Sequence, residues 1–207
     1  MHIRGLLLCA ALAAPSFLHA QRSGDTLSLD GRKAITFGLG LTGTRNTTTV
    51  GGTTATHTDG QIGSIAYNQY IRRQLGVEIE VAVLNADNFV QPGRTHTNSI
   101  SPLLFGITLA PEVFAITRNL RPFFAAGAGP YIHTVSDVST TGVATSTETV
   151  AGARFGAGVD WRPARHFLMN VEAKYHAVGD FDHPDAATEK VSGWGVSVGF
   201  GFVWGGR

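Results

Sequence analysis

The stretch SGWGVSVGFGFVWGGR, Ser192 to Arg207, places a large apolar side chain at every second position. Trp194, Val196, Val198, Phe200, Phe202 and Trp204 form one series, and Gly195, Ser197, Gly199 and Gly201 fill the gaps between them. A period of two belongs to a strand, where successive side chains point to opposite faces. In a soluble sheet the face behind an apolar one usually carries Lys, Glu or Thr to meet water. Here that face is nearly bare, so neither face has the partner a soluble sheet would give it.

The same design recurs upstream. In KAITFGLGLTG (33–43), Ile35, Phe37, Leu39 and Leu41 oppose Thr36, Gly38, Gly40 and Thr42. LGVEIEVAVL (75–84) sets Leu75, Val77, Ile79, Val81 and Val83 against Glu78, Glu80 and Ala82. VAGARFGAGVDW (150–161) opposes Phe155, Val159 and Trp161 to Arg154, Gly156, Gly158 and Asp160. FLMNVEAKYHAV (167–178) opposes Met169, Val171 and Tyr175 to Asn170, Glu172, Lys174 and His176. IGSIAYNQYIRR (62–73), SISPLLFGITLA (99–110) and RPFFAAGAGPYIH (121–133) alternate less regularly, and their register is not fixed by pattern alone. With the opening stretch this makes eight strands and no intervening helix, an all-β fold.

The connections alternate in length. Long polar stretches, NTTTVGGTTATHTDG (46–60), NADNFVQPGRTHTN (85–98), TVSDVSTTGVATSTET (134–149) and GDFDHPDAATEK (179–190), follow the odd strands, and short turns follow the even ones. Short turns at one end and long loops at the other describe an eight-stranded antiparallel up-and-down transmembrane β-barrel. A lipocalin or sandwich would turn its apolar face inward. That would crowd a narrow lumen with bulky residues and leave glycine facing water. The inverted arrangement, apolar to lipid and small or polar inward, accommodates both faces. Charged groups inside must then pair, and Glu78, Glu80, Arg154, Asp160, Glu172 and Lys174 are the expected lumen network.

Composition narrows the classes. The 207 residues carry 15% charged residues against a usual figure of roughly 25%. The net charge of +1 leaves no basic tract for nucleic acid. MHIRG followed by LLLCAALAA and LHA before Gln21 reads as a cleaved export signal over 1–20, too short to span a bilayer. A lead-in over 21–32, a barrel over 33–204 and an extension over 205–207 complete the expected organisation. Cys9 lies within the apolar run and not behind it, which argues against lipidation. The exported chain would contain no cysteine and hence no disulfide or thiolate site.

These strands, the leader, LRPFFAAGAGPYIH (120–133) and the aromatic last strand resemble the small outer-membrane β-barrel proteins of the OmpA/OmpX-like superfamily, over roughly Lys33 to Trp204. The resemblance implies an outer-membrane location with lipid and lipopolysaccharide as surroundings, and a monomer. It also implies that Phe200, Phe202 and Trp204 form the insertion signal taken up by the barrel-assembly machinery. Gly205 to Arg207 extend past the place where such strands end.

Remaining motifs weigh little. GLGLTG (38–43) matches a dinucleotide fingerprint but lacks the helix that would present its N–H groups to a pyrophosphate. DFDHPD (180–185) reads as a solvated acidic loop rather than a cation site. His57, His96, His133 and His183 read as polar surface; His176 reads as a lumen hydrogen-bonding group rather than part of a lipid-modifying site. Trp161, Trp194, Trp204, Tyr67, Tyr70 and Tyr175 are expected in the interfacial aromatic girdles. Thr/Gly-rich 44–60 has too little apolar area to order and is expected to be mobile. The expected role is structural or interactive, with no catalytic set and no cofactor or metal. A small passive pore or carrier for apolar solutes, as in OmpW-like proteins, is the first alternative and a lipid-modifying enzyme the second.

Overall fold

The computed structural model of the protein describes residues 30–44, 46–50, 53–57, 60–91, 94–117, 119–139, 142–182, 188–189 and 192–206. The expected leader, most of the lead-in, His183 and Arg207 lie outside them. Eight antiparallel strands close into one barrel. They are β1 (Arg32–Thr44), β2 (Gly60–Tyr70), β3 (Leu75–Gln91), β4 (Arg94–Leu109), β5 (Leu120–Ser139), β6 (Gly142–Ala164), β7 (Phe167–Val178) and β8 (Gly193–Gly205). Each strand pairs with its neighbours in sequence, and β8 returns to β1, from Arg32 opposite Gly205 to Thr44 opposite Gly193. Closure removes both sheet edges, the condition for strands to cross a membrane.

The faces fall as the alternation requires. Leu39, Val81, Phe105, Phe155, Val171 and Val198 are exposed on the outer wall, while Thr36, Glu80, Thr108, Arg154, Lys174 and Ser197 are buried within. Trp194 and Trp204 both face outward on β8. Their ten-residue separation is about 33 Å along the strand, or about 25 Å of height at the usual tilt, the thickness of the apolar band of such barrels. Trp204 leans on Tyr67 with ring centroids 6.3 Å apart, and Trp194 on Tyr175 at 5.0 Å, so each end of the band has an aromatic pair.

Tyr70 is a correction to the girdle. It shares the inward parity of Ile62 and Asn68 on β2 and is buried in the lumen. The polar stretches after the third and fifth strands are corrected too, because most of their residues continue the strands. β3 and β4 stay paired out to Gln91 opposite Arg94, and β5 and β6 out to Ser139 opposite Gly142. Polarity alone does not mark a loop, because Thr and Val also fit a ladder. Within 44–60, expected to be mobile, Asn46–Val50 pairs with Thr53–His57. At the other end the β4–β5 connection is the long one and holds a short 3-10 helix, Glu112–Phe114, absent from the sequence reading. The C-terminal strand ends at Gly205, where Gly205 and Gly206 take φ of 74° and 86°, conformations that favour glycine.

Candidate functional site

The lumen has three layers. At the short-turn end Ala34, Tyr70, Phe123, Ala125, Leu168 and Val203 form an apolar cluster. At the other end Ile62, Leu84, Ile100, Leu104, Tyr131 and Phe181 form a second. Between them lie Glu78, Glu80, Arg154, Glu172 and Lys174, while Arg32, Arg121, Asp160 and Arg162 are buried at the short-turn end.

Period-two parity aims Glu78 and Glu80 of β3, Arg154 of β6, and Glu172 and Lys174 of β7 into this middle layer. Arg154 donates to both Glu78 and Glu80, and its Nη1 lies 3.9 Å from Glu172 Oε1. Lys174 Nζ donates to Glu80 Oε1 at 2.9 Å and stands 3.2 Å from Glu172 Oε2. Thr108 Oγ1 is 3.0 Å from Asn68 Oδ1 and 3.1 Å from Glu78 Oε2. The pairs join β3 to β6 and β7, across the lumen from one wall to the other. Such pairs hold the fold only as a set, because each ion has lost its water and depends on its partners.

Asp160 is placed differently. It lies toward the short-turn end, in register with Arg121 and two residues before Arg162 on the same inward face. It still borders the cavity of about 40 Å³ that the other five ionisable residues line. That volume holds about three waters. Arg154 Nε and Glu172 Oε1 have no hydrogen-bond partner among the described residues, and water in this cavity would complete them.

The upper layer holds what the sequence did not reveal. His133, expected at the surface, is buried with its ring 4.6 Å from Phe181. Phe181, from the loop expected to be a solvated acidic segment, is fully buried in the upper apolar cluster. His176 sits in the lumen with Nδ1 2.9 Å from Tyr131 Oη, enclosed by the wall and away from lipid. The one available signal was a single Phe among acidic residues, which alternation does not weigh. Phe181→Ala should lower unfolding stability by about 3 kcal/mol, since the vacated space lies between fixed side chains. Denaturant unfolding of the refolded protein checks this.

The sequence profile of the family described as outer membrane protein beta-barrel domain matches residues 5–202. No curated protein matches the chain. Among solved structures it is similar to OprG from Pseudomonas aeruginosa, at 13% identity over 86% of this chain and 97% of that one, with a TM-score of 0.57. Neisserial surface protein A matches at 13% identity, over 84% and 97% of the two chains, with a TM-score of 0.57. The attachment invasion locus protein Ail of Yersinia pestis matches at 12% identity, over 84% and 99%, with a TM-score of 0.53. At such identities the likeness speaks for the fold.

Proposed function

The chain belongs to the outer membrane protein beta-barrel domain family, and from that premise we propose that it is a closed barrel, passing no solute, that acts through the sheet it raises outside the cell. The observation that carries this reading is the stacking of the lumen, a paired charge layer between two apolar clusters with Phe181 set into the upper one. An ion would have to break buried pairs and cross apolar packing to pass. His176, the residue a lipid-modifying site would use, faces Tyr131 inside and not the membrane.

The second support is strand length. A barrel strand needs about 9–11 residues to cross the bilayer, whereas β5 has 20 and β6 has 23. Together with β3 and β4 they continue beyond the long-loop end as one paired sheet. This sheet is the surface for contact with other molecules, and its sequence is rich in Thr, Ser and Val. In this reading residues 1–20 direct export, and Phe200, Phe202 and Trp204 serve insertion by the assembly machinery. The short turns face the periplasm, and lipid with lipopolysaccharide surrounds the outer wall of a monomer.

Two measurements test it. In planar bilayers the refolded protein should give no stepwise ion conductance; steady channels would sink the closed-barrel reading in favour of a pore. In a Cys9→Ser background, Ser146→Cys should react on intact cells with a membrane-impermeant maleimide, and Arg72→Cys only after permeabilisation. The opposite labelling would reverse the orientation.

A further inference from the structure

We propose that the rim where β8, β1 and β2 reach the short-turn end is a binding site for the phosphate headgroup of an anionic phospholipid in the adjoining leaflet. Lys33 faces outward on β1, in register with Trp204 on one side and Gln69 on the other. Beside it Trp204 leans on Tyr67, an aromatic pair of the kind that sits at headgroup depth. The Gly31 amide donates to the Tyr70 carbonyl at 3.1 Å and draws the β2–β3 turn beside the start of β1. That turn exposes Arg72 and Arg73 and, next to them, the apolar Ile71.

The turn is held in place from within. The amides of Ile71 and Arg72 donate to the Leu75 carbonyl at 2.9 and 3.2 Å. The buried Arg121 guanidinium donates to the Arg73 carbonyl at 3.1 Å, and its Nη2 lies 3.7 Å from Glu112. A cation buried in the barrel therefore fixes the turn on which exposed cations are presented. Asp30, two residues before β1, and Glu112, paired with the buried Arg121, are the carboxylates at this end. Guanidinium forks match phosphate oxygens two at a time, Lys33 adds a point charge, and Ile71 meets the first acyl carbons. Basic side chains at this depth draw anionic lipid by long-range attraction as well as contact.

The test uses Trp204 as the reporter, in full-length protein carrying Trp161→Phe and Trp194→Phe and refolded into vesicles. Brominated phosphatidylglycerol should quench Trp204 fluorescence about twice as strongly as brominated phosphatidylcholine at equal mole fraction, and high salt should reduce the difference. Lys33→Gln with Arg72→Gln and Arg73→Gln should abolish it while the protein keeps its heat-modifiable gel mobility. Equal quenching by the two lipids before the charge substitutions, or an unchanged preference after them, would overturn the site. Should the triple variant not refold, the comparison of lipids and its salt dependence still decide.

Discussion

Arg154→Met should destabilise the folded barrel by about 3–5 kcal/mol, the cost of removing one partner from a buried ion set. Arg154 is the group on which the carboxylates converge. It donates to Glu78 and Glu80 and lies within ion-pair distance of Glu172, and without it Glu80 and Glu172 share Lys174 while Glu78 keeps no ion-pair partner among the described residues. Water in the cavity of about 40 Å³ can hydrate only part of that charge. The reverse change should be mild. In this cluster carboxylates outnumber cations, and Glu78→Gln removes a negative charge while keeping an oxygen for Thr108, so it should cost within about 1 kcal/mol. Urea unfolding of the protein refolded in vesicles measures both. Equal costs for the two substitutions would mean that this layer is held by shape and not by charge balance.

The contrast also shows what alternation could and could not tell. Strand parity placed all six ionisable residues inside, because a period of two assigns a face without any knowledge of neighbours. It could not tell that Asp160 stands apart from the other five, since height in a tilted barrel depends on the stagger between strands, which no single strand encodes. Tyr70 was missed for a related reason: an aromatic residue at a strand end fits a girdle by composition, and only the parity of β2 turns it inward. β4 resisted reading because Pro102 sits within it, opposite Tyr131, where a proline removes a ladder donor. The stretches 85–98 and 134–149 read as loops in the sequence because polarity marks a loop in a soluble protein. Beyond a bilayer a strand has no apolar face to show. Phe181 and His133 meet only after the barrel has closed, so their contact leaves no local pattern in either segment.

Gly201→Leu should prevent stable closure, at a cost of about 3 kcal/mol or more, whereas Gly63→Leu should be harmless. Both are glycines in barrel strands, but they face different surroundings. A Cβ on Gly201 would run into the carbonyl oxygen of Ile35 and stand 3.0 Å from Thr36 Cα, which is main chain of β1 and cannot rotate away. Gly201 belongs to the β8–β1 seam, opposite Thr36, the junction that joins the first strand to the last. If it opens, two unsatisfied strand edges lie in the membrane, so strain here threatens the whole barrel and not one contact. Gly63 lies on the outward face of β2 between Leu39 and Val83, with open space where its Cβ would be. A leucine there only adds apolar surface against lipid. Heat-modifiable gel mobility after refolding separates the outcomes: Gly63→Leu should migrate as the unaltered protein does, and Gly201→Leu should run unfolded or melt far earlier. If both variants fold equally well, glycine on the inner face of β8 reflects something other than close approach of the strands. The alternation in SGWGVSVGFGFVWGGR would then need a different physical cause.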